Sequence, residues 1–441
     1  MIFGVVAVAL LMSSIDQTIV ATALPALHHD LHAQVNWTAW TITVYALGQI
    51  VMMPIAGALG ERYGRKSVFL VAVAVFTLAS LLCGLSENIG MLVVLRGLQA
   101  MGGGAFMPTA TGIVAGLFGS QRDRALGLFA SIFPIGGILG PVLGGVFVTY
   151  LSWRWIFFFN VPVGMVLLVV GAALIPHTPG ETTDPLDLAG IGLLVLTLLP
   201  LMLGVTVLGD GRPRLWLVAA ALGLGSAGGV LFARHCRTPS AFIPWSLLAG
   251  PGFGVMNLIN LFYGSVALGL SALVPLYAQQ RFGIQTLRAG SLLTARAVGM
   301  MLAAAVAVLL LRRFGYRRPM LLGMSLVVLG LAGMAVGPWW VGPYLWLGVT
   351  AAVTGVGMGI AVPASNNATL QLAPERSATV AGLRGMFRQF GSIVSISIVT
   401  TTLATSSDPG VTQAHLILGF CVVLVLSLPL ISRVPDHRGA W

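Results

Sequence analysis

Asp16 and Arg96 are the two residues of this sequence whose types and setting can do proton chemistry. Asp16 lies in SSIDQTIVATALP (13–25), within an apolar run that begins at Ile2, and Arg96 opens RGLQAMGGG (96–104) inside another. A carboxylate at the centre of a membrane helix costs roughly 2.5–3.5 kcal/mol on insertion scales. Groups that stay there despite this cost mark proton or substrate paths. Asp16 is the one Asp or Glu well inside an apolar run; Glu87 and Asp210 sit at run edges and the others in loops or at ends. Burial disfavours the charged form of a carboxyl, and a neighbouring guanidinium favours it. Two helices that bring such groups together in one state and part them in another therefore change proton affinity with conformation. At 1.5 Å per residue, Asp16 lies about 14 Å below the outer end of its helix and Arg96 about 10 Å below the outer end of its own. The depths allow them to meet. A buried structural ion pair is the competing reading.

The elements that must hold these groups follow from composition. Of 441 residues, 57% are hydrophobic and 8% charged, against about a quarter charged in soluble domains. The bilayer is the solvent. The formal charge of +11 is spread over short clusters between apolar runs, so it reads as basic membrane loops and not as a nucleic-acid surface. Cys83, Cys236 and Cys421 have no metal-ligand spacing and suggest no disulfide frame. The first apolar run continues as a full spanner, so no cleavable signal peptide is expected. His28, His29 and His32 read as a solvated loop, and no metal is expected.

A spanning helix needs about 20 apolar residues. Fourteen runs qualify: 3–25, 38–59, 67–86, 89–116, 125–150, 155–175, 187–208, 214–233, 252–279, 287–311, 319–337, 342–363, 378–404 and 413–432. With the N-terminus inside, the inner segments carry Arg62, Arg65, Lys66, Arg122, Arg124, Arg234, Arg237, Arg312, Arg313, Arg317, Arg318, Arg376, Arg433 and Arg438. The outer ones carry only Arg154, Arg212, Arg214, Arg281 and Arg288. Both ends are therefore predicted cytoplasmic. ERYGRK (61–66) after the second run matches RRFGYRR (312–318) after the tenth. Internal repeats of this kind mark secondary transporters. The expected division is a six-helix half over 1–176, two inserted helices over 177–238, and a second six-helix half over 239–441.

Three more patterns bear on mechanism. In GALGERYGRK (57–66), Gly57 permits close helix contact and Gly64 a tight turn, and Glu61 beside Arg62, Arg65 and Lys66 can form a breakable ionic latch. In GGILGPVLGG (136–145), Gly136, Gly140 and Gly144 recur every four residues, a seam for tight packing. Pro141 favours a kink there, and Gly145 closes the motif. WRWIFFFNVPVG (153–164) puts Trp153 and Trp155 at an interface, where aromatic rings sit well. On the first run, Ser13, Asp16 and Gln17 share one side, while Met12, Ile15, Ile19 and Ala23 occupy another predicted to face lipid.

Together these stretches resemble the fourteen-helix drug:proton antiporter family of the major facilitator superfamily. GALGERYGRK resembles its inner-loop signature, with Glu61 where the family usually has aspartate. RGLQAMGGG resembles its fourth-helix motif, whose arginine is linked to proton transfer; Ala100 replaces a usual glycine, and Arg96, Gln99 and Gly103 share a face. GGILGPVLGG resembles the antiporter signature. The resemblance is looser beyond residue 165, resting on Pro275-Leu276-Tyr277, Ala289-Gly290, Gly355 to Gly359 and Arg388 to Gly391, with Ala295 and Arg296 where members often carry proline and glutamine.

The resemblance implies an all-α polytopic fold of fourteen transmembrane helices in a cell membrane. It implies proton-coupled export of lipophilic or amphiphilic small molecules, with protons as the coupling ion and no bound cofactor. Asp16 and Arg96 would couple protons. Gln17, Gln99, Tyr277, Arg296, Asn366, Asn367 and Arg388 are candidates to line the cavity. Arg296 can bind an anionic substrate group, balance a carboxylate or snorkel; Asn366 and Asn367 can line the cavity or cap a helix end. The lipid bilayer and a lipophilic substrate are the expected partners. No phosphate-binding glycine-lysine loop points to ATP-driven transport, and no nucleophile–base or metal constellation points to an enzyme. A same-fold exporter of a lipid or endogenous metabolite, a facilitator without export, and a non-transporting receptor or scaffold are the alternatives.

Overall fold

The computed structural model describes the chain except for residues 34, 120–121, 178, 181–185, 209–213, 271–272, 339–340, 405, 435 and 437–441. Asp210, Arg212 and Arg438 thus lie outside the described residues. The regular elements are α1 (Ile2–Asp30), α2 (Val35–Tyr63), α3 (Arg65–Gly84), α4 (Ile89–Leu117), α5 (Arg122–Tyr150), α6 (Trp155–Phe158), α7 (Asn160–Leu174), α8 (Leu188–Leu208), α9 (Leu215–His235), α10 (Trp245–Ala249), α11 (Phe253–Gly264), α12 (Val274–Phe282), α13 (Thr286–Phe314), α14 (Arg317–Val336), α15 (Pro343–Gln371), α16 (Ser377–Ala404) and α17 (Pro409–Ile431). Eleven described helices are long and apolar enough to cross a membrane, and two shorter apolar ones span Ile135–Tyr150 and Phe253–Gly264. The protein is a multi-span, all-helical membrane protein.

Every apolar run falls on a helix or on consecutive helices, and two runs depart from a regular α-helix. Pro162 has no N–H to give the Phe158 carbonyl one turn back, so one ladder bond is missing between α6 and α7, although Phe159 keeps helical φ and ψ (−57° and −33°) and Trp155–Leu174 runs on as one apolar span. The run over 252–279 passes from α11 into a π-helical segment, Ser265–Leu270, before α12 begins with Pro275 in its first turn. The matching glycines of the two basic loops both have positive φ, 88° at Gly64 and 70° at Gly315. Both values lie where a side chain is strained, so each loop reverses the chain within one or two residues.

The chain packs as two compact units. The first comprises Met1–Ala125, Ile132–Asp187 and Ala373–Met386. In it α2 and α3 lie along α4, and the Phe106 ring packs at a tilt against Phe69 and Phe76, at centroid distances of 6.2 and 5.3 Å. The second comprises Leu126–Ser131, Leu188–Leu372 and Phe387–Trp441. Its core joins α11 to α15 and α17 through residues such as Met256, Tyr277, Met320, Met358 and Leu424. Within it α8 and α9 cross closely: a side chain at Gly225 or Gly228 would strike the backbone of Leu201 or Leu196. Ser397 Oγ donates to the Val205 carbonyl, tying α16 to α8.

Candidate functional site

α1 reaches α5 through the glycine seam. A Cβ at Gly136, Gly140 or Gly144 would collide with Ser14, Thr18 or Thr22 respectively, and Thr18 Oγ1 donates to the Gly136 carbonyl at 3.2 Å. The seam's complement is therefore a row of small hydroxyl residues at four-residue spacing on α1, present in SSIDQTIVATALP but legible only once the two helices are paired. Pro141 is exposed, α5 runs on through it, and nothing lies within 4 Å of a Cβ at Gly145, so neither residue belongs to the contact.

This packing corrects the predicted lipid face of α1. Met12, Ile15, Ile19 and Ala23 are all buried. Ile15 and Ile19 abut the seam glycines and join a core with Trp153, Ile156 and Phe157. The expectation missed a second protein surface because a helical wheel separates polar from apolar and not protein from lipid. The tryptophans divide for the same reason: Trp155 is 47% exposed, whereas Trp153 is 1% exposed beneath the Arg154 guanidinium at 4.4 Å.

With α1 held this way, Asp16 is fully buried beside Arg96, itself 1% exposed. Arg96 Nη1 donates to Asp16 Oδ2 at 2.6 Å and to Gln99 Oε1 at 2.6 Å. The other carboxylate oxygen, Oδ1, accepts from Gln99 Nε2 at 3.0 Å and from Asn160 Nδ2 at 3.1 Å. Arg96 Nε donates to the Thr41 carbonyl at 3.3 Å, and Gln99 Nε2 also donates to Ser80 Oγ at 2.7 Å. The guanidinium lies 3.9 Å above the centre of the Tyr45 ring and 5.7 Å from that of Phe157. Five helices (α1, α2, α3, α4 and α7) thus converge on one carboxylate, with α6 supplying Phe157.

A buried charge pair with both carboxylate oxygens hydrogen-bonded fits two uses. It can be structural, or it can be a site whose proton occupancy is read by its neighbours. Gln99 belongs to this network. Asn160 was hidden in WRWIFFFNVPVG by the aromatic residues around it; a single amide inside an apolar run was the available signal. Gln17 is half-buried and its amide donates to Gln49 Oε1, while Gln49 Nε2 reaches Ser13 Oγ at 3.3 Å.

The inner-loop motif holds a helix start. Glu61 Oε1 accepts from the Thr379 backbone N–H in the first turn of α16 at 3.0 Å. That N–H is one of those a helix cannot satisfy internally, and a carboxylate there also complements the helix dipole. Arg65 donates to the carbonyls of Gly112 at 3.0 Å and Glu375 at 3.3 Å. Gly57 leaves the room: its Cβ would lie 2.6 Å from Thr379 Cα. Lys66 Nζ donates to the Ala172 carbonyl at 2.7 Å, and Arg62 stacks on Tyr63 at 5.1 Å. These hydrogen bonds join charges to backbone groups, and the Arg65 and Arg376 guanidinium groups also act electrostatically on Glu61. Glu61→Ala should lower stability in detergent by about 0.5–2 kcal/mol. Glu61→Gln, which can still accept the bond, should lose less. Equal melting of both variants and wild type would remove this cap from the account.

The remaining candidates lie in the second unit or at its margin. Tyr277 is buried in the core, its hydroxyl donating to the Met334 carbonyl at 3.2 Å and its ring edge-on to Phe282. In this structure it packs α12 against α14. Asn366 and Asn367 are buried within the body of α15, so neither caps an end. Arg296 is half-buried on α13, its carbonyl pressed against Gly355 of α15. Arg388 is half-buried on α16, its carbonyl pressed against Gly264 of α11. Arg384, one turn before it, is almost wholly buried.

The comparisons agree with this architecture. The model of the Major Facilitator Superfamily matches residues 6–396. The chain is 28% identical over 416 residues to the multidrug transporter protein MdtP of Bacillus subtilis, covering 91% of this chain and 74% of that one. It is 30% identical over 452 aligned positions to MdtD of Salmonella paratyphi B, a protein named for multidrug resistance, covering 98% and 94%. A crystal structure of the human organic anion transporter MFSD10 superposes with a TM-score of 0.71 at 16% identity, covering 98% of both chains, a likeness of fold. On the match across residues 6–396, this chain belongs to the major facilitator superfamily, a family of membrane transporters and not of enzymes.

Proposed function

We propose that the chain is a proton-coupled antiporter that exports lipophilic or amphiphilic small molecules by alternating access. One observation carries the reading: the fully buried Asp16 carboxylate holds Arg96 on one oxygen and two amides on the other. Protonating Asp16 removes the charge that Arg96 balances and disturbs contacts to four other helices at once. That is the kind of local change that can bias a two-state transporter. The multidrug names of the relatives at about 30% identity support export of lipophilic compounds. The glycine seam on α5 supports antiport through its resemblance to the antiporter signature.

The finer topology belongs to the same proposal. The fourteen apolar runs are read as fourteen spans, in two six-helix halves over 1–176 and 239–441 with α8 and α9 as an inserted pair. Both ends lie on the cytoplasmic side of the cell membrane. Asp16 is the lone acid well inside the spans, which leaves little negative charge for recognising cations and favours neutral or anionic amphiphiles.

The test is purified protein in liposomes with an imposed pH gradient, given a lipophilic cation, a neutral amphiphile and an amphiphilic anion in turn. At least one should accumulate against its own gradient and be released by a protonophore. Flux indifferent to the pH gradient would make the protein a facilitator. Binding without flux for all three would favour the receptor reading.

A further inference from the structure

We infer that Tyr45 is a positioning residue for the proton site: its ring face holds the Arg96 guanidinium while Asp16 is protonated. The inference rests on reading Asp16 as the proton site. In the ion-paired state Arg96 has one charged partner, Asp16, and otherwise neutral ones: the Thr41 carbonyl, Gln99 Oε1 and the rings of Tyr45 and Phe157. When Asp16 takes up a proton, only the neutral partners remain for a cation that has no access to water.

Among those, the Tyr45 ring is the one built for a cation. Arg96 Cζ stands 3.9 Å over its centre, far inside the range in which a ring quadrupole attracts a guanidinium, whereas Phe157 at 5.7 Å is near its limit. While the carboxylate is charged, it offsets much of the guanidinium's field at the ring. Once the carboxylate is neutral, the ring meets the full cation, so its attraction counts for more in the protonated state. Tyr45 therefore favours proton uptake by Asp16.

The ring's position is itself built. Tyr45 stands one turn beyond Thr41 on α2, so the same helix gives Arg96 both the carbonyl and the ring. A Cβ at Gly103 of α4 would lie 2.7 Å from the Tyr45 hydroxyl oxygen. The bare glycine is what lets the ring lie flat beneath Arg96. The hydroxyl is buried beside Ser13 and Asp16 without a hydrogen bond of regular geometry, and the ring face is the part that meets Arg96. The titratable or charged groups around the pair are Asp16 on α1, Tyr45 on α2, Cys83 on α3 and Arg96 on α4. Phe157 and Asn160 from α6 and α7 carry no charge, and α5 has no titratable residue between its first turn and Tyr150.

The test needs no substrate. The full-length protein is titrated in liposomes, and the carboxylic C=O band of Asp16, identified by its loss in Asp16→Asn, is followed by infrared difference spectroscopy. Tyr45→Leu should move the titration midpoint to lower pH by about one unit, a tenfold loss of proton affinity. Tyr45→Phe should hold it within a few tenths. Gly103→Ala, which tilts the ring without altering it, should move it the same way by less, and it carries the test if Tyr45→Leu does not fold. An unmoved midpoint in both Tyr45→Leu and Gly103→Ala overturns the inference while leaving Asp16 as the proton site. If the wild type shows no titrating band that Asp16→Asn removes, the Asp16 reading falls and the role of Tyr45 with it.

Discussion

Asp16→Asn should abolish uptake driven by a pH gradient while the protein still inserts and folds. The amide cannot exchange a proton, so coupling is lost at its source. It also strips Arg96 of its one charged partner. Breaking a buried pair from one side typically costs about 3–5 kcal/mol, and here the Tyr45 ring, Gln99 and the Thr41 carbonyl offset part of that cost. A lowered melting temperature is therefore expected alongside the lost coupling. The double variant Asp16→Asn/Arg96→Gln separates the two effects. Removing both charges restores electroneutrality, so the melting temperature should recover while coupled transport stays absent. Recovery of both would make the pair a structural bridge, and full coupled transport in Asp16→Asn alone would move the proton site elsewhere.

The second large effect is expected at the α1–α5 seam. Gly140→Val places a branched side chain where a Cβ already overlaps Thr18 Oγ1 and would stand 3.1 Å from the Ile15 carbonyl. Neither neighbour is the free end of a long side chain, so the helices must part. Overpacking of this kind costs about 1–3 kcal/mol or more. Because α1 carries Asp16, the displacement should also misalign the pair with Arg96. Both the folded yield and transport should fall sharply. Gly137→Val and Gly145→Val give the control in the same helix, since nothing lies within 4 Å of a Cβ at either position; both should behave like wild type. Thr18→Gly should partly rescue Gly140→Ala, the coupling expected of residues in contact. A neutral Gly140→Val would mean that α1 and α5 are not held at this distance.

Asp16 was legible because an acid in an apolar run has few innocent explanations in a membrane. Arg96 was legible as its partner because helix rise converts residue number into depth. Asn160, Ser80 and Tyr45 were not. Each is an ordinary polar or aromatic residue on a different helix, and only the fold states that those helices meet at one carboxylate. The inner-loop motif shows a related limit. Glu61 and its basic neighbours stood out as charges, but the hydrogen bond that Glu61 accepts from the Thr379 backbone N–H is one that any residue could supply and no composition reveals.

Composition and run length were sufficient for the solvent, the helical class and the approximate helix positions, because a bilayer allows the backbone few ways to satisfy itself. The short motifs were sufficient for the family, and the inner-loop motif for the tight turn at Gly64. What faces what was decided by tertiary structure alone. Ile15 and Ile19 are as apolar as any lipid-facing residue, and lipid tails and protein interior attract them alike. Close packing against three bare glycines, a property of two helices together, turned that face of α1 inward and set Asp16 against Arg96.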